Sequence, residues 1–369
     1  MMVSGRASRL IQSGLRYRSY SSDSSIRPVD AVDKAHDKID VQCFRDHAFD
    51  VGKPLLMKRQ RDAASRVPAI NKWFQPMREA NGHSRLMALT SHHTEMTATK
   101  HLGAFTLARV PYELMYPQLH EGGDGNEAVD HFIKSLESEN DCTRPAVEGV
   151  LPSLLRQQLP PECGSTRPGE HLEQQLIRFE APLALLVAAL RYNSAAKQAD
   201  RLRQLYIAQA SLGDLPEDLL KDFPTPDIVK EAGKGDVYAS SIWLGLEPTY
   251  TPLHRDPNPN LFIQICSSKV VRLLPPSQGD SIFRQVQMRL GRHGGNSRIR
   301  GAEMMQGPER KLLYEAIWGG PGTSVREVAI YEVVLKPGDA LFIPKGWWHS
   351  VKSGCDDGRL NGSVNWWFR

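Results

Sequence analysis

Three residues set apart by type and spacing open the chemical reading. His254-Arg255-Asp256 places an imidazole and a carboxylate two residues apart. On a strand, alternate side chains share a face, so both would point the same way. A third ligand has to come from elsewhere in the chain. His349, at the end of Gly338-Asp339-Ala340-Leu341-Phe342-Ile343-Pro344-Lys345-Gly346-Trp347-Trp348-His349, is the candidate. Two imidazoles and one carboxylate are the ligand set of non-haem Fe(II) oxygen chemistry, with coordination positions left open for a co-substrate and O2. A His-x-Asp alone is weak evidence, because His-Arg-Asp-Pro also makes a good turn.

The second half of the pattern adds weight. Gly-x5-Pro-x-Gly-x2-His resembles the second cupin motif, in which a turn between two strands delivers the histidine. Cupins are jelly rolls. The stretch Thr251 to Lys269 resembles the JmjC-type 2-oxoglutarate oxygenases. The likeness is to their small hydroxylase branch, which includes the asparaginyl hydroxylase inhibiting hypoxia-inducible factor and the wybutosine tRNA hydroxylase. The ending Ser363-Val364-Asn365-Trp366-Trp367-Phe368 is similar to the final strand of that family.

The resemblance implies Fe(II) bound by His254, Asp256 and His349, with 2-oxoglutarate and O2 as co-substrates. It implies that Lys269, fifteen residues after His254, pairs with the far carboxylate of 2-oxoglutarate, and that Thr251 hydrogen-bonds the same group. Asn260 and Asn365 are implied near the co-substrate. Tyr206, in Leu205-Tyr206-Ile207-Ala208-Gln209, is implied to reach it as well. A buried carboxylate needs a cation, and a lysine is a compact point charge suited to that task. Lys269 as a solvated strand-end lysine, common in Ser-Ser-Lys turns, is the bland alternative. Trp347, Trp348, Trp366 and Trp367 read as core packing, with Trp367 bordering the site.

Strands must position these groups. After Gly235 the chain is rich in β-branched and aromatic residues broken by Pro and Gly. Val237 to Leu246, Leu261 to Cys266, Val270 to Leu274, Val328 to Leu335 and Ala340 to Ile343 read as strands. Upstream, Pro54 to Met57 and Ala104 to Val110 read as short strands. Asp130 to Leu136 reads as a helix start, and 139–168 as loops around at most one short helix. His171 to Gln209 reads as mostly helical, kinked or divided at Pro182. The expected fold is mainly β with helical elaboration, around a double-stranded β-helix (jelly-roll) core.

The chain would then divide into a mitochondrial transit peptide (1–20), a polar linker (21–38), a mixed α/β elaboration packed on the core (39–234) and the jelly roll (235–369). An Arg- and Gly-rich insertion falls at 277–327. Arg284, Arg289, Arg292, Arg298 and Arg300 follow one another there without an intervening acid. A lid for an acidic or RNA substrate and a solvated, partly disordered insertion are both open, with the second favoured.

Charge and cysteines exclude other classes. The net charge is +4, but residues 1–20 hold four arginines and no acid, so the chain from Ser21 sums to zero. Arg- and Ser-rich, acid-free composition marks a mitochondrial targeting segment, with a cleavage-like site after Tyr20 and the matrix as destination. Five scattered cysteines without a CxxC pair argue against a disulfide scaffold or a local zinc finger. The longest apolar run, Ala181 to Leu190, is too short to span a membrane.

The expected activity is Fe(II)/2-oxoglutarate-dependent hydroxylation of a protein side chain or other macromolecule. RNA stays open as the substrate, and a homodimer is compatible. Lysine demethylation by the same chemistry is an alternative. A catalytically silent JmjC-like binding module is another, although such a protein should have lost a ligand or the lysine. A cupin isomerase, or a dioxygenase without 2-oxoglutarate, would have no use for Lys269 and Thr251.

Overall fold

The computed structural model describes residues 26–33, 39–59, 67–77, 94–117, 127–138, 144–158, 174–292, 302–319 and 328–369. In chain order the strands are β1 (Ile26–Pro28), β2 (Ala31–Val32), β3 (Leu55–Met57), β4 (Phe74–Pro76), β5 (Met96–Ala98), β6 (Arg109–Pro117), β7 (Gln174–Pro182), β8 (Leu205–Ser211), β9 (Val237–Leu246), β10 (Tyr250–Arg255), β11 (Asn260–Cys266), β12 (Lys269–Leu274), β13 (Ile330–Leu335), β14 (Ala340–Ile343), β15 (Trp348–Ser353) and β16 (Leu360–Phe368). Two large sheets result. One runs β1-β13-β12-β15-β10, the other β2-β3-β14-β11-β16-β9-β8-β6-β7. Face to face they form a jelly roll, mainly β with helices added around it.

Strand alternation sorts the side chains. On β12, Val271 and Leu273 point between the sheets and pack with Phe262, Leu341, Ile343 and Val351. On β11, Leu261, Ile263 and Ile265 take the opposite face, as do Val364, Trp366 and Phe368 on β16. The residues between them, Asn260 on β11, Lys269 on β12 and Asn365 and Trp367 on β16, are thereby turned inward. β11 and β16 are buried on both faces, which is why they read as continuous apolar runs broken by isolated polar residues.

Several expectations need correction. The linker at 21–38 is not only linker: β1 pairs in parallel with β13, and β2 with β3. Such two- and three-residue strands leave no periodic signal. Residues 104–108 are turn, and the strand begins at Arg109 and runs through Pro111. His171 to Gln209 is not mostly helical. It holds β7, a helix at Ala184–Ala195, and β8. Leu, Gln and Arg favour helices only weakly, and sheet pairing of β7 with β6 and of β8 with β6 and β9 overrides them. Pro182 divides the two elements, as its missing N–H requires. The 139–168 region carries two helices, Arg144–Val147 and Val150–Gln158.

The N-terminal half joins the core by hydrogen bonds as well as by packing. β6, β7 and β8 extend the larger sheet beyond β9, and β3 extends it beyond β14. The favoured view of the insertion is also revised. We label its helices α1 (Pro276–Arg289), α2 (Ala302–Met305) and α3 (Gly307–Trp318). Ile282, Phe283 and Val286 of α1 and Leu313 and Ile317 of α3 pack on Leu253, Leu274 and Trp348, on the outer face of the smaller sheet. Arg284 and Arg289 are exposed on α1. Counting Arg and Gly concealed an amphipathic helix. Arg298, Arg300 and the 1–20 segment lie outside the described residues.

Candidate metal centre

His254 is the penultimate residue of β10 and His349 stands near the start of β15. These antiparallel neighbours pair His254 with His349 directly. The register shifts between Thr251 and His254, and a bulge of this kind re-aims the side chains that follow it. The two rings lie with centroids 4.1 Å apart. Asp256, one residue beyond β10, spans them: its Oδ1 is 3.7 Å from His254 Nε2 and its Oδ2 3.6 Å from His349 Nε2. One ligand atom from each residue lies within 4.8 Å of the others.

The surroundings fix both imidazoles with Nε2 facing Asp256. His254 Nδ1 is 2.8 Å from the Pro252 carbonyl oxygen, and His349 Nδ1 is 3.4 Å from that of Trp347. A carbonyl only accepts, so Nδ1 carries the proton and Nε2 offers its lone pair. Burial, then the neighbouring His349, hold His254 below the ordinary histidine range, against the pull of Asp256 and the Pro252 carbonyl. A neutral imidazole is the form that binds metal. Burial pushes Asp256 up, but both imidazoles and two donated hydrogen bonds outweigh it and keep the carboxylate below its usual range.

Those two bonds come from Trp367 Nε1 at 2.7 Å and Asn260 Nδ2 at 2.9 Å, both to Asp256 Oδ2. Asn260 is held in turn by Asn365, whose Nδ2 donates to Asn260 Oδ1 at 2.8 Å. Asn260 and Asn365 thus form a chain that ends on the carboxylate. Trp367 is a donor, a role beyond bordering the site. Its signal was present: Ser363, Asn365 and Trp367 alternate on one strand and share its inward face.

A second cluster lies on the same inward side. Lys269 is buried, and its Nζ donates to Tyr206 Oη at 2.9 Å and to Ser363 Oγ at 2.6 Å. Phe262 lies under it, with its ring centre 5.4 Å from Nζ. Glu247 acts on the lysine electrostatically, but it is occupied by Ser267 Oγ, Asn361 Nδ2 and the Cys355 N–H. Among the described residues no carboxylate bonds to Lys269. Burial draws its pKa down to about 7, with Glu247 opposing. Ser363 was not among the expected residues; its inward position opposite Lys269 comes from the β16 alternation. Tyr206 approaches closely because its partner on β9 is Gly245. A Cβ there would meet the Tyr206 Cα at 2.6 Å.

Thr251 is on β10, with β15 between it and the Lys269 strand β12. It lines an open cleft of about 550 Å³ with Tyr112, Arg178, Phe179, Gln209 and Trp243. Met305 of the insertion forms part of the same wall. Trp348 and Trp366 are core residues, as expected.

The donor set fits a divalent iron: two imidazoles, each with Nδ1 on a backbone carbonyl, and one carboxylate, all largely withdrawn from water. The Lys269 pocket fits the far carboxylate of a dianionic keto acid, because a buried ammonium without a counter-ion is costly.

Comparison with known proteins agrees. The cupin-like domain family model matches residues 42–369. The chain is 28% identical over 212 residues to Jumonji C domain-containing protein 5 of Drosophila melanogaster, covering 57% of this chain and 46% of that protein. It is 25% identical over 210 residues to Lysine-specific demethylase JMJ30 of Arabidopsis thaliana, covering 57% and 42%. It is 28% identical over 166 residues to Lysine-specific demethylase 8 of Danio rerio, covering 44% and 36%. The matches span less than half the length of each of these relatives. The chain belongs to the cupin-like JmjC family, whose oxygenases use Fe(II), 2-oxoglutarate and O2.

Proposed function

We propose that this chain is an Fe(II)/2-oxoglutarate-dependent dioxygenase that hydroxylates a C–H bond of a protein side chain. The observation that carries the reading is Lys269, a buried amine without a carboxylate partner among the described residues, on the inward side that also holds His254, Asp256 and His349. A metal site alone would serve many reactions. A buried cation beside it selects a dianionic co-substrate.

Iron, 2-oxoglutarate and O2 supply the oxidising chemistry when bound: substrate C–H, O2 and 2-oxoglutarate become C–OH, succinate and CO2. The chain's own residues supply position. His254, Asp256 and His349 hold the metal. Lys269, with Tyr206 and Thr251, receives the co-substrate. Asn260, Asn365 and Trp367 orient Asp256. The cleft beside Thr251 admits the substrate side chain, and its aromatic wall limits water.

Removal of an N-methyl group from a lysine is the second reading, favoured by the names of two of the relatives. Mitochondrial import through residues 1–20 belongs to the proposal as well. The test compares the proteome of mitochondrial extract from cells with and without the protein by mass spectrometry. Hydroxylation predicts peptides that lose one oxygen mass when the protein is absent. Demethylation predicts peptides that gain methyl groups. No difference of either kind, with purified protein that does not turn over 2-oxoglutarate, points to a silent binding module.

A further inference from the structure

Each large sheet ends on two strands, and an end strand leaves alternate N–H and C=O groups without a sheet partner. Three of the four ends are short or covered. β1 has three residues and closes on Pro28, and β2 has two. β10 lies against α2 and α3, with Leu253, Leu313 and Ile317 in one apolar cluster. The fourth end, β7, is nine residues long and pairs only with β6.

Which groups of β7 turn outward follows from three bonds. Just past the strand, Leu183 N–H donates to the Ala108 carbonyl, on the β6 side. Met115, opposite Leu176, donates its N–H away from β7, to the Gln204 carbonyl. Leu176 N–H donates to Gln306 Oε1, between α2 and α3, at 2.7 Å. Successive residues of a paired strand aim their N–H and C=O to opposite sides. Ile177, Phe179 and Ala181 therefore bond to β6, and Leu176, Arg178 and Glu180 face out.

Side chains satisfy the two ends of this outward row. Gln306 takes the Leu176 N–H, and Arg109 Nη2 donates to the Glu180 carbonyl at 2.9 Å. Between them the Leu176 C=O, the Arg178 N–H and C=O, and the Glu180 N–H have no partner among the described residues. The Arg178 guanidinium is drawn back over β6, where its Nε donates to Glu113 at 2.8 Å. The row borders the cleft that Thr251 lines, three residues before His254.

We propose that the polypeptide substrate binds as an extended segment paired with β7 through Arg178, as a further strand of the larger sheet. A row that alternates acceptor, donor, acceptor and donor is matched by another main chain, which carries both in the same alternation. A phosphate only accepts, and it would meet the Leu176 and Arg178 carbonyls and the carboxylates of Glu113 and Glu180. Pairing holds the segment along the cleft, where alternate side chains turn inward. The inference rests on the dioxygenase reading for what then happens to that side chain; the pairing itself does not.

Amide hydrogen exchange at single-residue resolution tests this on the full chain loaded with Mn(II) and 2-oxoglutarate. The probe is a peptic digest of mitochondrial extract, freed of nucleic acid. The digest should slow exchange of the Arg178 and Glu180 amides about fivefold or more, and leave Ile177 and Phe179, already bonded to β6, unchanged. With Fe(II), Arg178→Pro should need about five- to tenfold more digest for half-maximal succinate formation than Arg178→Ala, the loss of one hydrogen bond. Proline is tolerated where an edge N–H faces out, so the ladder to β6 persists. If Arg178→Pro does not fold, the exchange pattern of the wild type decides. Succinate formation with unprotected Arg178 and Glu180 amides, or Arg178→Pro equal to Arg178→Ala, overturns the pairing and leaves the dioxygenase reading intact. Protection without succinate supports the pairing and counts against that reading. Protection by RNA and not by the digest overturns the pairing in favour of a nucleic-acid site. Protection that grows with the chain's own concentration, without digest, overturns it in favour of a second copy of the chain. Neither protection nor succinate overturns both.

Discussion

Trp367 donates its indole N–H to the Asp256 carboxylate at 2.7 Å, on the oxygen that also takes the Asn260 amide. With two donors on Oδ2, the carboxylate cannot rotate freely, and Oδ1 is the oxygen left without a hydrogen bond from either. Orientation of the one anionic ligand is thus built into the last strand of the fold.

Trp367→Phe keeps the ring and removes the donor. Metal affinity should fall roughly 10–100-fold, the usual cost of losing a residue that orients a ligand. Titration with Mn(II), followed by electron paramagnetic resonance, measures this without turnover. Unchanged affinity would show that the indole only fills space.

Asn365 acts on Asp256 through Asn260. Asn260→Ala should therefore weaken metal binding more than Asn365→Ala, and Asn365→Ala should add little once Asn260 is gone. The double-mutant coupling should be about 0.5–3 kcal/mol. Strict additivity would argue against the chain.

Lys269 should give the protein a characteristic pH dependence. Its folded pKa lies near 7, below its ordinary value of about 10.4. Between these values the unfolded chain binds more protons, so the group's contribution makes stability rise with pH across that window. Below about 7 both states are protonated and the contribution is flat. Thermal unfolding of wild type against Lys269→Met, from pH 7 to about 10, should show the wild-type curve rising relative to the variant. 2-Oxoglutarate should flatten the difference, since a dianion stabilises the charged lysine. Parallel curves with and without it would contradict the pairing.

Gly245→Ala places a Cβ 2.4 Å from the Leu205 carbonyl oxygen and 2.6 Å from the Tyr206 Cα. Overpacking of this kind costs about 1–3 kcal/mol. Because Tyr206 contacts Lys269, 2-oxoglutarate binding should suffer more than metal binding. Chemical denaturation and separate titrations of metal and co-substrate distinguish the two. Equal losses would mean that the strand as a whole has shifted.

Much of this site is legible in the sequence because strand geometry has a short period. Asn365 sits at an alternating position that β16 turns inward, and His254 with Asp256 was legible by the same two-residue spacing although Asp256 stands one residue beyond β10. Trp367 was legible by the same rule, but a tryptophan among three others suggests packing, and its N–H partner is distant in sequence. The β7 and β8 strands were hidden by residues that favour helices until sheet neighbours overrule them. The insertion hid its helices because the apolar stripe of Ile282, Phe283 and Val286 is short and surrounded by Arg and Gln.

The most direct measurement is succinate formation from 2-oxoglutarate by the purified, Fe(II)-loaded chain, with mitochondrial extract as the source of substrate. Wild type should form succinate, and His254→Ala and Lys269→Met should not, while both variants keep the wild-type circular dichroism. Wild-type protein that binds Fe(II) and 2-oxoglutarate but forms no succinate, or Lys269→Met protein that turns over at the wild-type rate, would contradict the account.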